Sequence, residues 1–427
     1  MAKKIILFFS PLSANAAERI YDCPDGTAVI GKQTNEAPVK YLLAAHPDVT
    51  EVLCIVTEAA SASAWGYFEA AIREEHPAVS LTQIPFHDGE AFADGPLPRV
   101  MEHVASGDTI LLETTGGFRN DVMHLLLLSR ILSYAGVETL DAVYSSLQEN
   151  RIRSVGHLIG LFDLVGGMQE LSSFGSVRGL HTYYQGTRDE SIRRLLLAAE
   201  KLTEDISLCR TRQLEQHMAD FDAALTGAES CDDPLMRQLL PAFRRKFGKK
   251  MTVPGVIKWC LESDMLQQAL TIYKERVPYY LMHHPSGLLR VKPSAPPLET
   301  KDYQSEEEAR FYAHFLNMAN MRAEHYRAQP EERWQETVVL TLEHFDELLP
   351  YSYFTTNGST DRLCAIAQDY LYIRTLRNMI NHANDQTVGF QKELDEYFRE
   401  CGYPPLESVG ASGIAAILRK ALDHLKG

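Results

Sequence analysis

The sequence predicts an N-terminal α/β domain followed by an all-α C-terminal domain. The first 150 residues alternate short apolar, β-branched runs with segments of helical spacing, whereas strand-like runs become scarce from about Val155 onward. At 427 residues the chain is also too long for one ordinary hydrophobic core. Apolar strands that alternate with helices indicate a parallel sheet covered on both sides, and ligands of such sheets bind beyond the carboxyl ends of the strands.

Five strands and three helices are predicted in the α/β domain. The strands are short apolar runs that end in polar turns, and the helices have apolar residues at helical spacing. The predicted strands are Lys3–Ser10, Glu51–Thr57, Val79–Phe86, Asp108–Gly117 and Glu138–Ser146, and the predicted helices are Glu36–His46, Ala59–His76 and Asn120–Tyr134.

The C-terminal part of the sequence predicts helices throughout. Apolar residues at near-helical spacing predict one long helix over Ser191–Phe221, and the segment Pro285–Thr300, which holds four prolines, is predicted as a loop. The remaining predicted helices are Asp233–Phe247, Val256–Glu262, Leu266–Arg276, Glu306–Tyr326, Trp334–Leu349, Ser359–Asn384 and Gly413–Lys426.

Composition and charge argue against several classes of protein. A formal net charge of −15 argues against sequence-blind coating of DNA, which depends on many Lys and Arg contacts to phosphates, so no stable DNA binding is expected. The seven cysteines are scattered without a C-x-x-C pair, which favours the reducing cytoplasm over a disulfide framework. The apolar run near the start, "IILFF", is too short for a secretory signal, and no transmembrane segment is expected.

The turn "LLETTGGFRND", after the fourth predicted strand, is a candidate ligand site. Thr114 and Thr115 supply hydroxyls, while Gly116 and Gly117 allow close approach of a ligand to the backbone. The following helix presents N–H groups with partial positive charge, which suits a phosphate, and Arg119 adds charged donors. Ser10 and Pro11, at the end of the first strand, are expected at the same edge of the sheet.

The same turn has other interpretations. It is neither the G-x-G-x-x-G pattern of dinucleotide sites nor a P-loop, which requires G-K-[ST], so a Rossmann-type oxidoreductase with a generic Rossmann cofactor is disfavoured. A tight turn that binds no ligand remains an alternative for the two glycines.

The first part of the chain resembles a known family. The turn "ETTGGFRND" and the segment "GMQELSSFGSVRGLHTYY", Gly167–Tyr184, resemble the CRISPR-associated Rossmann-fold (CARF) domain of type III CRISPR ancillary proteins, over residues 1–185. The resemblance implies a Rossmann-like, CARF-like domain that binds a cyclic oligoadenylate across the two-fold axis of a homodimer. The implied ligand-binding residues are Ser10, Pro11, Thr114, Thr115, Gly116, Gly117, Arg119 and Asn120.

A second motif is an arginine followed five positions later by a histidine. This spacing occurs four times, so spacing alone cannot select a site; the pairs are Arg119 with His124, Arg212 with His217, Arg377 with His382, and Arg419 with His424. The first belongs to the ligand turn, and the second and fourth are explained by exposed faces of amphipathic helices.

Arg377 and His382 differ from the other pairs in their neighbours. Residues four apart share a helix face, so Arg374, Asn378 and His382 form one column, and Arg377 and Asn381 form a second column beside it. This polar strip suits an anionic ligand, because buried polar and charged groups need partners. A helix face whose polar groups are satisfied internally is the alternative.

The strip resembles the signature of the HEPN ribonuclease domain. Arg377, Asn378 and His382 match that signature position by position, which implies an all-α, HEPN-like domain within residues 186–427. Together with the CARF-like part, the chain resembles the cyclic-oligoadenylate-activated ancillary ribonucleases of type III CRISPR systems. The implied activity is metal-independent cleavage of single-stranded RNA by a cytoplasmic homodimer, without any cofactor.

Two competing functions share parts of these features. A non-catalytic regulator that senses a cyclic nucleotide would contain the same CARF-like domain, but no helix-turn-helix with a basic reading helix is found. A metal-dependent nuclease would need a cluster of carboxylates with a lysine on strands, and the C-terminal part of the sequence has no clear strand pattern.

Overall fold

The computed structural model describes residues 1–247, 250–285, 288–295, 309–311, 354–357, 359–382, 395 and 398–426. The side chains at positions 242, 245–247 and 382 lie outside this description. The chain divides into two compact units, Met1–Gly166 and Gly167–Gly427. An α/β unit followed by a helical region confirms the predicted fold class, whereas the predicted domain boundary at residue 185 stays a prediction.

The N-terminal unit contains an eight-stranded sheet with the order β3-β2-β8-β7-β6-β1-β4-β5. The five strands from β7 to β5 are parallel, and they correspond to the five predicted strands. The strands are β1 (Lys3–Phe8), β2 (Arg19–Asp22), β3 (Ala28–Gly31), β4 (Val49–Val56), β5 (Ser80–Pro85), β6 (Thr109–Glu113), β7 (Glu138–Ser146) and β8 (Arg151–Ser154).

The three strands that the sequence did not predict extend one edge of the sheet. β8 pairs antiparallel with β7, β2 pairs antiparallel with β3, and β2 meets β8 only at Asp22 and Arg151. Each of these strands has four residues, and most of their side chains are exposed or half-buried. Such strands have no continuous apolar run, which is why the pattern did not reveal them.

Four helices cover the two faces of the parallel strands. They are α1 (Glu36–Ala45), α2 (Glu58–Glu75), α3 (Pro96–Glu102) and α4 (Arg119–Tyr134), of which α3 was not predicted. One core contains Val39, Leu42 and Phe68 on one face, and a second contains Leu125, Leu128 and Leu132 on the other. The sheet is therefore buried on both sides, as the apolar strands predict.

The C-terminal unit is helical. Its described elements are α5 (His157–Phe174, which contains the division between the units), α6 (Arg178–Tyr183), α7 (Glu190–Ser207), α8 (Leu214–Ala228), α9 (Pro234–Phe247), α10 (Val253–Glu262), α11 (Leu266–His283), α12 (Thr360–His382) and α13 (Ala411–Lys426), with a 3-10 turn at Leu406–Ser408. The helices α11, α12 and α13 pack against one another. Trp334–Leu349 lies outside the described residues, as does Glu306–Tyr326 except for 309–311.

The prediction of one long helix over Ser191–Phe221 is wrong. Helix α7 ends at Ser207, α8 begins at Leu214, and the two helices pack against each other. The break lies at Cys209, whose φ of 53° is left-handed, while the Arg210 N–H donates to the Asp205 carbonyl over 2.7 Å. This is a helix ending that normally uses glycine, so a cysteine there gave no signal in the sequence.

The C-terminal unit also contains a two-stranded sheet. Within the predicted loop Pro285–Thr300, β9 (Arg290–Val291) pairs antiparallel with β10 (Phe354–Thr355). Among the described residues, no helix is both long enough and apolar enough to cross a membrane.

Candidate functional site

The candidate ligand site lies where the order of the parallel strands reverses. β1 has β4 on one side and β6 on the other, so the segments after β1 and β6 leave the sheet side by side. They are joined directly, because the Gly117 N–H donates to Ser10 Oγ over 2.9 Å. The structure therefore brings together Ser10 and the glycine turn, which the sequence placed at one edge.

Asn35 holds the segment after β1 from below. Its side chain is fully buried; Oδ1 accepts from the Ser10 N–H over 2.9 Å, and Nδ2 donates to the Phe8 carbonyl over 3.0 Å. Gln33 supports the same segment by donating from Nε2 to the Ser10 carbonyl over 2.7 Å. The conformation of the β1 loop is thus fixed by two side chains that precede α1.

Glu113, the last residue of β6, connects the two segments under the turn. Its carboxylate is fully buried, and it accepts from the Thr115 N–H over 2.6 Å and from Asn35 Nδ2. Burial raises the pKa of Glu113 from its ordinary value of 4.5 to about 7, against the opposing hydrogen bonds from Thr115, Asn35 and Gly116. Sequence reasoning missed both Glu113 and Asn35; the available signal was an acid at the end of an apolar strand.

Gly116 and Gly117 allow the turn after β6 to lie close to the segment after β1. A Cβ on Gly116 would lie 2.1 Å from the Phe8 carbonyl oxygen and 2.2 Å from Asn35 Nδ2, which no side chain could tolerate. Gly117 has a φ of +80°, a conformation that favours glycine. The turn therefore depends on both glycines, whether or not a ligand binds there.

The two threonine hydroxyls also contact β7. Thr114 Oγ1 donates to the Val143 carbonyl over 2.8 Å and its side chain is buried, whereas Thr115 Oγ1 accepts from the Ser145 N–H over 2.8 Å. Because Thr115 accepts in this contact, its own hydroxyl proton remains able to donate to a ligand.

The outer part of the candidate ligand site is exposed. Pro11, Arg119 and Asn120 are all solvent-accessible, and α4 begins at Arg119. Asp121 caps the start of this helix by accepting from the Phe118 N–H over 2.6 Å. Arg119 therefore supplies positive charge beside the turn, and Asp121 satisfies the N–H of the residue that precedes the helix.

The polar strip on α12 is anchored through Arg377. Its side chain is only 17% exposed, and Nη2 lies 3.5 Å from Oε1 of Glu275 on α11, whose side chain is 6% exposed. Glu275 also accepts from Thr211 Oγ1 over 2.5 Å. The guanidinium is not fully satisfied, because Arg377 Nε is buried and has no hydrogen-bond partner among the described residues.

The other members of the strip lie beside Arg377. Asn378 Oδ1 accepts a long 3.4 Å contact from Arg377 Nη1, and Asn381 Oδ1 accepts from Gln267 Nε2 over 3.3 Å. His382 is the last residue of α12, and its side chain lies outside the described part of the chain. The structure thus gives the position of His382 along the helix, while the direction of its imidazole stays a prediction.

The histidines of the three other Arg–His pairs lie beside aspartates. His217 Nδ1 and His424 Nδ1 each lie 2.6 Å from a carboxylate oxygen, of Asp205 and Asp369 respectively. His124 stacks on Phe92 with ring centroids 4.6 Å apart. Arg212 and Arg419 are exposed as expected, whereas the expectation is wrong for the two histidines, which are half-buried and hydrogen-bonded to aspartates.

In the part of the chain that the structure describes, no group of three or more His, Cys, Asp or Glu side chains is placed to hold a metal ion.

Comparisons with known proteins give a likeness among solved structures. No family model matches the chain, and no curated protein matches it. Among solved structures, Csm6 of Enterococcus italicus bound to cyclic hexa-2'-fluoro-hexa-dAMP matches 99% of this chain and 94% of that chain, with 11% sequence identity and a TM-score of 0.37. A likeness at this level defines neither a family nor the residues of a site.

The buried Glu113 predicts a pH-dependent stability. Because its pKa is raised in the folded protein, the folded state binds the proton more tightly than the unfolded state, and this contribution is lost as pH rises from 4.5 through about 7. In Glu113→Gln the loss is absent, so between pH 5 and pH 8 the free energy of unfolding should shift in favour of the variant by about 2.5 kcal/mol. Urea unfolding of both proteins at several pH values measures this shift. The exposed Glu18→Gln serves as control, and parallel pH profiles of wild type and Glu113→Gln would contradict the burial effect.

The Arg377–Glu275 contact predicts strong coupling between two helices. Replacing either residue with alanine leaves the other charge buried without its partner and should cost about 3 kcal/mol of unfolding free energy. The double variant should cost little more than either single variant. A double-mutant cycle by chemical denaturation measures the coupling, and costs that add to within about 0.5 kcal/mol would show that the pair is not coupled.

Proposed function

We propose that this chain is a cyclic-oligoadenylate-activated, metal-independent endoribonuclease that cleaves single-stranded RNA in type III CRISPR antiviral defence. One observation carries the proposal: α12 presents Arg377 next to Asn378 and ends at His382, and the Arg377 guanidinium keeps an unsatisfied Nε. An under-satisfied guanidinium on a polar strip suits a phosphodiester. The match of these residues to the HEPN signature and of the glycine turn to CARF domains supports the same function.

The proposed chemistry uses the 2′-hydroxyl of the RNA as nucleophile. Its oxygen attacks the adjacent phosphorus, the bond from phosphorus to the 5′-oxygen breaks, and the products are a 2′,3′-cyclic phosphate and a 5′-hydroxyl. His382 takes the proton of the 2′-hydroxyl or gives one to the leaving oxygen, which suits an imidazole that titrates near neutrality. Arg377 stabilises the charge of the phosphorane, and Asn378 orients the substrate or His382.

One histidine cannot supply both proton transfers at once, which favours a composite site. Two copies of α12 that face each other in a homodimer would provide one imidazole for the base and one for the acid. In the structure Arg377 contacts Glu275. On activation, a phosphate of the RNA would replace this carboxylate as the partner of the guanidinium.

The proposed sensor for the cyclic oligoadenylate is the candidate ligand site of the N-terminal unit. Ser10, Pro11 and the turn Thr114–Gly117 would contact the ring, while Arg119 and Asn120 would meet its phosphates. The ligand would activate cleavage if the N-terminal unit binds it more tightly when the two nuclease helices are in their active arrangement than when they are in the resting one.

An exposed apolar row supports the homodimer. Met123, Leu127 and Ile131 repeat every four residues on α4 and are 64%, 53% and 39% exposed, and Tyr134 continues the row at 80%. Leu158 and Val165 on α5 are also exposed. Single exposed apolar residues are ordinary, but a row along one helix marks an interaction surface. Because α4 starts at Arg119, such a dimer would place two ligand turns close to its two-fold axis.

A non-catalytic sensor remains the second candidate. The specific observation in its favour is the Glu275 carboxylate, which pairs with Arg377 and would make the α12 strip a structural contact. Such a protein would bind the cyclic ligand and leave RNA intact.

The decisive experiment is cleavage of single-stranded RNA in EDTA, with and without cyclic tetra- or hexa-adenylate. We expect cleavage that depends on one of the rings, and His382→Ala should lower the rate by at least about 100-fold because the proton-transfer group is lost. The matched control is His157→Ala, at an exposed histidine on α5, which should cleave like wild type. Equal rates for His382→Ala and wild type would remove the proposed site.

The same assay tests the sensor. Thr115→Ala and Arg119→Ala should raise the ring concentration for half-maximal activation by about tenfold or more, since each loses a donor to the ligand. Full activation of both variants at the wild-type ligand concentration would refute the sensor assignment.

A further inference from the structure

The turn between α7 and α8 borders an open cavity. The left-handed Cys209 ends α7, and the chain then crosses to Leu214 at the start of α8. The cavity has a volume of about 420 Å³, within the range of about 300–1,000 Å³ that small-molecule sites occupy. Its lining residues are Asp205, Cys209, Arg210, Thr211, Arg212 and Gln213.

This cavity lies next to the α12 strip. Thr211 lines it and donates through Oγ1 to Glu275 Oε2 over 2.5 Å, and the other carboxylate oxygen of Glu275 is 3.5 Å from Arg377 Nη2. Cys209, which also lines the cavity, lies close enough to Glu275 and Arg377 to feel both charges. Burial raises the pKa of its thiol, Glu275 raises this pKa further, and the positive charge of Arg377 opposes the rise. One wall of the cavity is therefore connected to the proposed catalytic guanidinium through a single carboxylate.

Of the two arginines that line the cavity, only Arg210 has a carboxylate partner among the described residues. Arg210 pairs with Glu204 over 3.0 Å, and the carboxylate of Asp205 contacts His217. Arg212 is exposed, and within the described ranges no carboxylate pairs with it. Beside it, the exposed Gln213 offers amide donors and an acceptor.

We infer that the α7–α8 turn is a subsite for single-stranded RNA, in which Arg212 binds a phosphate next to the one held by Arg377. This inference rests on the proposed ribonuclease function and names where the strand continues beyond the cleaved bond. A polynucleotide fits the observations because it carries one negative charge per nucleotide, so a phosphate at Arg377 brings further phosphates to neighbouring groups. The cavity is large enough for the attached nucleoside, and Gln213 can hydrogen-bond a base edge.

The test compares the salt dependence of RNA cleavage and RNA binding in wild type and Arg212→Gln. Loss of one phosphate contact should raise KM about tenfold, with a much smaller change in kcat, because Arg212 lies beside the scissile phosphate and does not touch it. The slope of log affinity against log salt should fall by about 0.7, the value for one contact to a single strand. Arg212→Lys should restore most of the affinity, which a folding defect would not allow.

The matched control is Arg194→Gln, which removes the same charge from a side chain of α7 that is 72% exposed and paired with Glu190. Its KM and salt slope should equal those of wild type. Anisotropy measurements with labelled single-stranded RNA, made in the His382→Ala background, report binding independently of cleavage.

The outcomes separate the two claims. Unchanged KM, affinity and salt slope in Arg212→Gln, with a wild type that cleaves RNA, would overturn the subsite and leave the ribonuclease standing. If the wild type never cleaves but its RNA affinity falls in Arg212→Gln, the ribonuclease proposal fails and the subsite stands. A wild type that neither cleaves nor binds RNA overturns both.

Discussion

The reversal of strand order at β1 determines where this chain can bind a ligand. The segments after β1 and β6 leave the sheet side by side there, and the buried side chains of Asn35 and Glu113 link the two segments by hydrogen bonds. These two side chains accept from or donate to backbone groups on both segments, and Gly116 approaches the Phe8 carbonyl too closely for any residue with a Cβ. The backbone of the candidate ligand site is therefore held in place by the protein's own contacts, and such preorganisation lowers the entropic cost of binding a ligand.

The sequence predicted the central part of the fold because the information there is local. A buried parallel strand must be apolar on both faces, so five runs were enough to identify β1, β4, β5, β6 and β7. The edge strands β2, β3 and β8 are short and mostly exposed, so that signal is absent. The break at Cys209 was invisible for another reason: the left-handed position carries a cysteine where helix endings usually carry glycine.

The candidate sites show the same division between local and long-range information. Ser10 and the glycine turn could be placed together because the ends of parallel strands share one edge. Glu113 was missed although an acid at the end of an apolar strand is unusual, because its burial depends on Asn35, which lies far away in the sequence. The Arg377–Glu275 contact joins residues far apart in the chain, and the periodicity of one helix contains no information about its neighbour. The catalytic roles of the HEPN-like residues and the ligand-binding roles of the CARF-like residues stay predictions, which assays of cleavage and binding must test.

We propose that the candidate ligand sites of two chains together bind one cyclic oligoadenylate. Isothermal titration calorimetry of the full chain with cyclic tetra-adenylate and cyclic hexa-adenylate measures this binding directly, without any assumption about catalysis. We expect saturable binding of one of these rings, with one ring for every two chains. Absence of binding for both rings, or one ring for each chain, would contradict it.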